Sequence, residues 1–397
     1  MRREINPWVL VAVLWVVAAL NYLDRQVIFS VLPLLRADLN MSNLELGLLG
    51  TAFLWVYAVL SPVCGYVADR FGRRRVIGIS LLVWSLVTWA TGQARTAGQL
   101  LALRGAMGVS EAFYLPAALA LIADRHGEKT RSLATGIHIS GVYAGLILGG
   151  AGGWLGQQFG WRWAFGILGA AGVVYMMVLA PVLARTREAR PTVEPQFRGS
   201  IAELLRTPGY VPMLIVFMTT SVANWMLYTW LPLFLYEHFH MDLARAGFYT
   251  IFVHLAGVIG ILGGGWVADW WASATPRGRV FTQVTGLLVN APALFLLGLV
   301  DSTAGLILAL VAFGIGKGFY DANNMPVLSQ IARNDLRATG YGIFNLGGCL
   351  AGGLSAPLAG YLKDAVGLET CLRAGAVVVV VSIALLFRVR PKSTLAM

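Results

Sequence analysis

Six ionisable residues lie well inside the apolar segments of this sequence, where charge is rare. They are Asp24, Arg25, Arg104, Glu111, Lys317 and Asp321. An ionisable residue at the centre of a membrane helix costs roughly 2.5 to 3.5 kcal/mol to insert, so its presence indicates either a function or an internal ion pair. The six charges cancel, and a set of ion pairs that only hold helices together is the structural alternative to a binding site.

The spacing of four of these residues predicts how their side chains are arranged. Arg104 and Glu111 are seven residues apart, which places them on one face of a helix and roughly 10 Å apart along its axis. Asp24 and Arg25 are adjacent and point in different directions, so each needs a partner on another helix. Arg25 with Glu111 is the simplest choice. An arginine fork matches a carboxylate, and a carboxyl group shielded from water can load and release a proton.

The other polar residues in apolar segments allow two interpretations. Lys317 and Asp321 are spaced i,i+4 and could neutralise each other or contact a substrate. Four polar residues at similar depth are further candidates to line a substrate site: Tyr22, Asn224, Asn323 and Asn324. Amides in hydrocarbon need hydrogen-bond partners, and a hydroxyl-rich substrate supplies them. Any single one of these side chains could instead serve helix packing.

The composition excludes a soluble globular protein. The 397 residues are 57% hydrophobic and only 12% charged, with a mean hydropathy of +0.70. A helix needs about 20 apolar residues to cross a bilayer, and the chain supplies roughly twelve such spans. We place them near 8–33, 44–68, 76–94, 98–122, 134–157, 163–184, 210–236, 246–269, 280–299, 303–331, 338–362 and 370–388. The sequence therefore predicts an all-α membrane protein.

The basic residues indicate the orientation in the membrane rather than a nucleic-acid partner. Of the 30 Lys and Arg residues, 21 fall on the side with both termini, 6 on the other side and 3 inside the spans, if Arg373 and Arg388 at the ends of the last span are counted with the adjoining loops. By the positive-inside rule, both termini are expected in the cytoplasm, which requires an even number of spans. We expect an integral protein of a bacterial cytoplasmic membrane, embedded in the lipid bilayer and without a nucleic-acid partner.

The chain repeats itself on either side of a polar, basic and proline-containing segment at its midpoint. The spacing from Glu111 to Pro116 in the fourth span recurs from Asp321 to Pro326 in the tenth. Two six-helix bundles with a substrate site between them at the midplane are typical of duplicated transporters. The predicted organisation is an N-terminal bundle, a cytoplasmic linker and a C-terminal bundle at 1–184, 185–208 and 209–397.

A charged motif between the second and third spans carries a family resemblance. Residues 65–75 read GYVADRFGRRR, and a weaker copy, GWVADW, stands at 265–270. The motif resembles the G-x-x-x-D-R-x-G-R-R/K loop of the major facilitator superfamily, and the copy departs from it because Trp270 replaces the arginine. The resemblance implies the major facilitator fold, with twelve helices in two pseudo-symmetric bundles. It also implies a gating role for the matching positions Gly65, Asp69, Arg70, Gly72, Arg73 and Asp269.

Within that superfamily, the chain resembles the anion:cation symporter family. The resemblance lies in NYLDR in the first span and in R-x6-E followed by proline in the fourth. It implies proton binding at Asp24 and Glu111, and gating and carboxylate recognition at Arg25 and Arg104. Spinster-type lysolipid transporters share these charges. The tenth span, with GKGFYDANNMP at 316–326, departs from the usual symporter pattern and leaves the substrate open.

The function expected from the sequence is proton-coupled symport of a small organic anion, such as a sugar acid, by alternating access. A Spinster-like lysolipid carrier and a drug:proton antiporter are the alternatives. The antiporter alternative comes from G-x-x-x-G-x-x-x-G-G at 141–150, although Leu146 stands where exporters of this kind have proline. No catalytic motif such as H-E-x-x-H appears, so neither an enzyme nor a cofactor or metal is expected. The resemblance implies a monomer.

Overall fold

The structure is a computed structural model that describes residues 5–186, 201–333 and 336–391. Within these ranges all regular secondary structure is helical. The helices are α1 (Pro7–Ser30), α2 (Leu32–Leu39), α3 (Asn43–Phe71), α4 (Arg73–Thr91), α5 (Ala97–Ala112), α6 (Tyr114–Arg125), α7 (Glu128–Leu148), α8 (Ala151–Phe159), α9 (Trp161–Arg185), α10 (Ile201–Arg206), α11 (Tyr210–His238), α12 (Leu243–Tyr249), α13 (Ile251–Ala274), α14 (Gly278–Leu297), α15 (Thr303–Asp321), α16 (Asn324–Ile331), α17 (Arg337–Val366) and α18 (Leu368–Leu386).

The helices account for the predicted membrane spans. Ten helical segments of the described chain are long and apolar enough to cross a bilayer, and α7 with α8 makes an eleventh, bent by 42°. The remaining predicted span, 76–94, corresponds to α4, which begins with three arginines. The architecture is the all-helical one expected from the sequence, and twelve membrane helices are consistent with it.

Prolines explain why two of the spans are broken. Proline has no N–H to donate, and its ring conflicts with the carbonyl four residues earlier. Pro116 therefore ends α5 at Ala112, and α6 starts at Tyr114. Pro326 has the same effect on the tenth span, where α15 ends at Asp321 and α16 follows. In each case the helix ends at, or one residue after, an acidic residue that the sequence analysis selected.

The chain forms two compact units. The first contains Met1–Pro195 with Pro232–Tyr249, and the second contains Gln196–Leu231 with Thr250–Met397. The predicted division by chain order into two bundles and a linker stays a prediction, and residues 187–200 of that linker lie outside the described residues.

Small residues let the helices of the first unit pack closely. Helix α1 runs against α7, and α4 runs against α9. A Cβ atom at Gly145 of α7 would lie 2.8 Å from the Tyr22 Cβ and 3.0 Å from the Leu23 nitrogen on α1. Glycine permits this approach because it has no Cβ. The α1–α7 contact thereby fixes the helix that carries Asp24 and Arg25.

Close packing through glycine also organises the second unit. Helix α15 packs against both α13 and α14. A Cβ atom at Gly318 would lie 2.5 Å from the carbonyl oxygen of Gly257 on α13, and one at Gly316 would lie 2.5 Å from the carbonyl oxygen of Gly286 on α14. The helix with Lys317 and Asp321 is therefore held on two sides by backbone contacts.

We predict that Gly145→Ala destabilises the protein, because the added methyl group has no space against α1. Overpacking a close contact costs about 1 to 3 kcal/mol. Thermal unfolding in detergent should show a lower midpoint for this variant. Gly136→Ala is the matched control on the same helix, since no atom lies within 4 Å of a Cβ at Gly136. Equal unfolding midpoints for the two variants would contradict the close α1–α7 contact.

Candidate functional site

The predicted ion pair between the first and fourth spans is present in the first unit. Arg25 on α1 donates from Nε to the Glu111 Oε2 on α5 at 2.5 Å. The side chains are 8% and 0% exposed. A buried pair of this kind survives only when geometry and further contacts compensate for the loss of hydration. Arg25 and Glu111 therefore depend on each other for neutralisation.

Aromatic rings surround the guanidinium group of Arg25. Its central carbon lies 4.4 Å from the ring centre of Tyr22, 4.9 Å from that of Phe53 and 4.7 Å from that of Tyr57. Cations are attracted to aromatic faces, and the attraction grows where water is excluded. Tyr22 and Arg25, both predicted to bind substrate, thus form one assembly with α3. Phe53, which sequence reasoning missed, lies in an ordinary apolar run and carries no distinguishing signal.

Arg104 is a buried cation with no acidic side chain within ion-pair distance among the described residues. It is 1% exposed. Its Nε donates to the Leu49 carbonyl oxygen at 3.3 Å, and one terminal nitrogen lies 3.1 Å from the Met107 sulfur. The ring of Phe53, at 5.1 Å, also lies beside its guanidinium group. Neutral acceptors and rings hold this arginine in place and leave its charge uncompensated at close range.

Asp24 is a buried acid without an ion pair among the described residues. It is 3% exposed, and its Oδ2 accepts a hydrogen bond from the Thr88 hydroxyl on α4 at 3.2 Å. Its Oδ1 has no hydrogen-bond partner among the described residues. An ionised carboxylate buried with a single hydroxyl donor is costly, whereas a protonated one is not. Thr88 was not predicted, since nothing in the spacing of α4 distinguishes it from a packing residue.

These residues form one electrostatic group, which we call the N-terminal cluster: Tyr22, Asp24, Arg25, Arg104 and Glu111. The Asp24 carboxyl group interacts electrostatically with Glu111 and Arg104, and the Arg104 guanidinium interacts with Arg25 and Glu111. The structure therefore brings together every residue that the sequence analysis selected in the first and fourth spans.

A second polar group lies in the second unit, and we call it the C-terminal cluster: Tyr228, His254, Gln283, Lys317, Asp321 and Asn324. Lys317 and Asp321 form the predicted i,i+4 ion pair. Asn324 donates to the Asp321 Oδ1 at 3.5 Å and accepts from Gln283 at 2.9 Å. The Lys317 Nζ lies 6.0 Å from the ring centre of Tyr228, which lies 5.1 Å from that of His254. Gln283 was not predicted from the sequence.

Two predicted substrate residues are less involved in the C-terminal cluster. The Asn323 amide donates to the Phe319 carbonyl oxygen at 3.0 Å, so it satisfies the backbone at the break after α15. Asn224 is half-buried on α11 and takes no part in the hydrogen bonds that join Gln283, Asn324 and Asp321. The substrate role of both residues stays a prediction.

The predicted gating loop is a sharp turn between α3 and α4. Gly72 links the helices at a φ of 93°, a conformation that favours glycine. Arg73 contacts Asp124 at 2.5 Å, whereas Arg70 is exposed in the last turn of α3. In the second repeat, Asp269 pairs with Arg279 at 2.8 Å. The side chains at positions 65 and 69, both predicted gating residues, lie outside the described residues.

The first unit includes residues 232–249, which contain α12. Two glycines at the start of α8 contact α12 directly. Gly150 packs against Gly247, and Gly153 packs against the Leu243 carbonyl oxygen. Nearby, Arg36 binds Glu237 at 2.7 Å. Sequence reasoning identified the glycines of the fifth span but did not predict the residues that they contact.

Comparison with known proteins identifies the family. The sequence matches the Major Facilitator Superfamily over residues 14–356, with a further match over 277–396. The chain belongs to the major facilitator superfamily. It is a membrane transporter and not an enzyme, since its relatives and structural neighbours are transporters of this superfamily.

Two relatives represent different kinds of transport. An MFS-type efflux pump of Mycolicibacterium smegmatis is 30% identical over 367 residues, covering 90% of this chain and 85% of that protein. A probable galactarate/D-glucarate transporter, GudP of Bacillus subtilis, is 25% identical over an alignment of 397 positions, covering 91% of this chain and 86% of that protein.

A solved structure confirms the fold. A bacterial homolog of the human lysosomal transporter Spinster, crystallised in an inward-facing and occupied conformation, superimposes with a TM-score of 0.81 at 23% sequence identity. The match covers 95% of both chains. This likeness shows the major facilitator fold.

We predict that the two members of the Arg25–Glu111 pair are unequally costly to remove. Glu111→Gln leaves a buried arginine that cannot lose its proton, and breaking a buried pair costs about 3 to 5 kcal/mol. Arg25→Met leaves a carboxyl group that can take up a proton, so its cost should be smaller. Thermal unfolding of both single variants and the double variant forms the test. Additive losses in the double variant would contradict the coupling.

Proposed function

We propose that this transporter carries a small organic anion together with protons by alternating access. The observation that carries the proposal is Arg104, a buried guanidinium with no carboxylate partner among the described residues. A planar arginine fork binds a carboxylate through two parallel hydrogen bonds. A substrate carboxylate would provide the directly hydrogen-bonded anionic partner that Asp24 and Glu111, which act on Arg104 only at longer range, do not.

Glu111 couples this site to protons in the proposal. In the ion pair, the Glu111 carboxylate binds the Arg25 guanidinium group. Protonation of Glu111 removes that negative charge and releases Arg25 to bind a second oxygen of the anion. One proton and one carboxylate then enter with no net change in the charge of the cluster. This balance favours symport, because uncompensated charge is costly within the bilayer.

Asp24 is the second proton carrier in the proposal. Its carboxyl group has a single hydroxyl donor, Thr88, and no ion-pair partner among the described residues. A proton on Asp24 relieves the cost of a buried charge, and release of that proton would restore repulsion with Glu111. The two acids can therefore load protons in a coupled manner as the anion arrives.

The C-terminal cluster supports a substrate with hydroxyl groups. Lys317, Asp321 and Asn324 offer donors and acceptors within one partly buried network. Gln283 keeps its Oε1 without a hydrogen-bond partner among the described residues. Sugar acids combine a carboxylate with several hydroxyls, and the relative in Bacillus subtilis is a probable transporter of two of them. This chemistry favours a sugar acid over a lysolipid, whose long acyl chain needs an apolar cavity.

Efflux is the second candidate, and the 30% identity with an efflux pump over 90% of the chain favours it. The two functions differ in the substrate that the N-terminal cluster would select. A cationic drug would meet the uncompensated charge of Arg104, whereas an organic anion would neutralise it. Direct uptake and export assays with both classes of compound distinguish the candidates.

The cellular setting completes the proposal. The clustering of Lys and Arg on one side favours cytoplasmic termini in a bacterial cytoplasmic membrane. The contacts of Gly150 with Gly247 and of Arg36 with Glu237 would have to open on one side of the membrane during each cycle. A monomer suffices, because one chain contains both clusters.

Removal of the Arg104 fork should abolish uptake of D-glucarate into proteoliposomes. Arg104→Ala removes the charge, and Arg104→Lys keeps a charge but loses the paired donors. The lysine variant should lose about tenfold or more in apparent affinity, since hydrogen bonds to charged groups contribute about 1.5 to 3 kcal/mol each. Arg95→Ala, at an exposed arginine between α4 and α5, is the control. Undiminished uptake by Arg104→Ala would remove carboxylate recognition from the proposal.

Asp24→Asn should separate substrate movement from proton movement. The amide cannot carry a proton, which leaves Glu111 as the one proton carrier of the proposal, so accumulation driven by an imposed pH gradient, acidic outside, should fall clearly below the wild-type level. Counterflow exchange of labelled substrate should continue, since Arg104 remains. The control is Asp301→Asn, an exposed position between α14 and α15. If wild-type accumulation is indifferent to the pH gradient, proton coupling is wrong.

A further inference from the structure

A buried amide on α1 lies beside the N-terminal cluster and has no role in the transport cycle as described so far. Asn21 is 0% exposed, and neither atom of its amide forms a regular hydrogen bond among the described residues. It precedes Arg25 by four residues, so both side chains lie on the same face of α1. A buried amide without a regular partner is costly, and an apolar side chain would pack there at lower cost.

The Glu111 carboxyl group offers the acceptor that this amide needs. The Glu111 Oε2 accepts a hydrogen bond from the Arg25 Nε. The Oε1 is buried and has no regular hydrogen-bond partner among the described residues. The Asn21 side chain interacts with this same carboxyl group. The Asn21 Nδ2 and the Glu111 Oε1 are therefore a donor and an acceptor that belong to interacting groups, and both are otherwise unpartnered.

An amide is suited to a carboxyl group that gains and loses a proton. Its nitrogen donates to an ionised carboxylate, and its oxygen accepts from the hydroxyl of a protonated one. Arginine suits the ionised state better, because its guanidinium group has donors and no acceptor. In the proposed cycle, Arg25 is released when Glu111 takes up a proton. Asn21 is then the neighbour that can still bind the protonated acid.

We propose that Asn21 is a positioning residue for Glu111 and hydrogen-bonds its carboxyl group in both protonation states. The role of Asn21 in transport rests on the proposed function, whereas its contact with Glu111 does not. Because Asn21 is fully buried, it acts through Glu111 rather than on the substrate. The charged groups that interact with Glu111 are Arg25 and Asp24 on α1 and Arg104 on α5. Removal of the neutral amide leaves all of these charges in place.

Thermal unfolding of the full-length protein in detergent tests the contact. Asn21→Leu removes the amide and keeps a side chain of similar size, and it is compared in the wild type and in an Arg25→Met/Glu111→Leu background. The substitution should lower the midpoint of the wild type by a few degrees more than that of the background, which has no carboxyl group to bind. Asn21→Ala replaces the leucine variant if that variant fails to fold. Equal effects in both backgrounds would overturn the proposal, whatever the protein transports.

The pH profile of D-glucarate counterflow, measured with the same pH on both sides of the proteoliposome membrane, tests the role in transport. A hydrogen bond to a charged group is stronger than one to a neutral group, so loss of the amide disfavours the ionised form of Glu111 more than the protonated form. The pH of half-maximal exchange should therefore rise by about one unit in Asn21→Leu, since 1.36 kcal/mol corresponds to one unit.

Asn290→Leu is the matched control for the pH profile. Asn290 is a buried amide on α14 that donates to the Phe313 carbonyl oxygen at 3.0 Å, so its loss should leave the pH of half-maximal exchange unchanged. An unshifted profile in a folded Asn21 variant would overturn the positioning role. Wild-type exchange that does not depend on pH would contradict the proton coupling itself, and the unfolding comparison then decides whether Asn21 binds Glu111.

Discussion

The cost of placing charge in a membrane is the constraint on which this structure depends. Arg25 on α1 and Glu111 on α5 offset this cost by forming an ion pair, and three aromatic rings around the arginine provide further stabilisation. The charges of Asp24 and Arg104 are not offset in this way, since each residue lacks an ion-pair partner among the described residues. Charged groups joined in an ion pair support a fold, whereas charged groups without one in the interior are suited to changes of ligand or protonation.

Close helix packing and helix breaks fix the positions of these charged residues. Gly145 on α7 allows close contact with α1, the helix that carries Arg25, and Pro116 ends α5 one residue after Glu111. The second unit uses the same devices, with glycines on α15 and a break imposed by Pro326. Each half thus combines a rigid helix contact with an interrupted helix beside an acidic residue. Interrupted helices near the membrane midplane are typical of substrate sites in transporters.

Sequence patterns predicted which residues belong together better than they predicted which side chains contact each other. Spacing along one helix identifies a face, which is why Arg104 with Glu111 and Lys317 with Asp321 could be grouped in advance. The partner on another helix depends on helix rotation and depth, which no local pattern specifies. The Arg25–Glu111 pair could be predicted because opposite charges in hydrocarbon have few possible partners. Thr88 and Phe53 could not, since polar and aromatic residues occur throughout such helices. The roles of all these residues in binding and proton transfer stay predictions.

The contact between Gly150 and Gly247 has a kinetic consequence. Main-chain atoms meet there directly, so the surfaces are already ordered before they touch. Freezing a long side chain into one rotamer costs up to about 2 kcal/mol, and glycine incurs none of this loss. A junction of this kind can separate and re-form without a search for the correct rotamers. Its rate is then limited by the motion of whole helices, which suits the opening and closing of the proposed transport cycle.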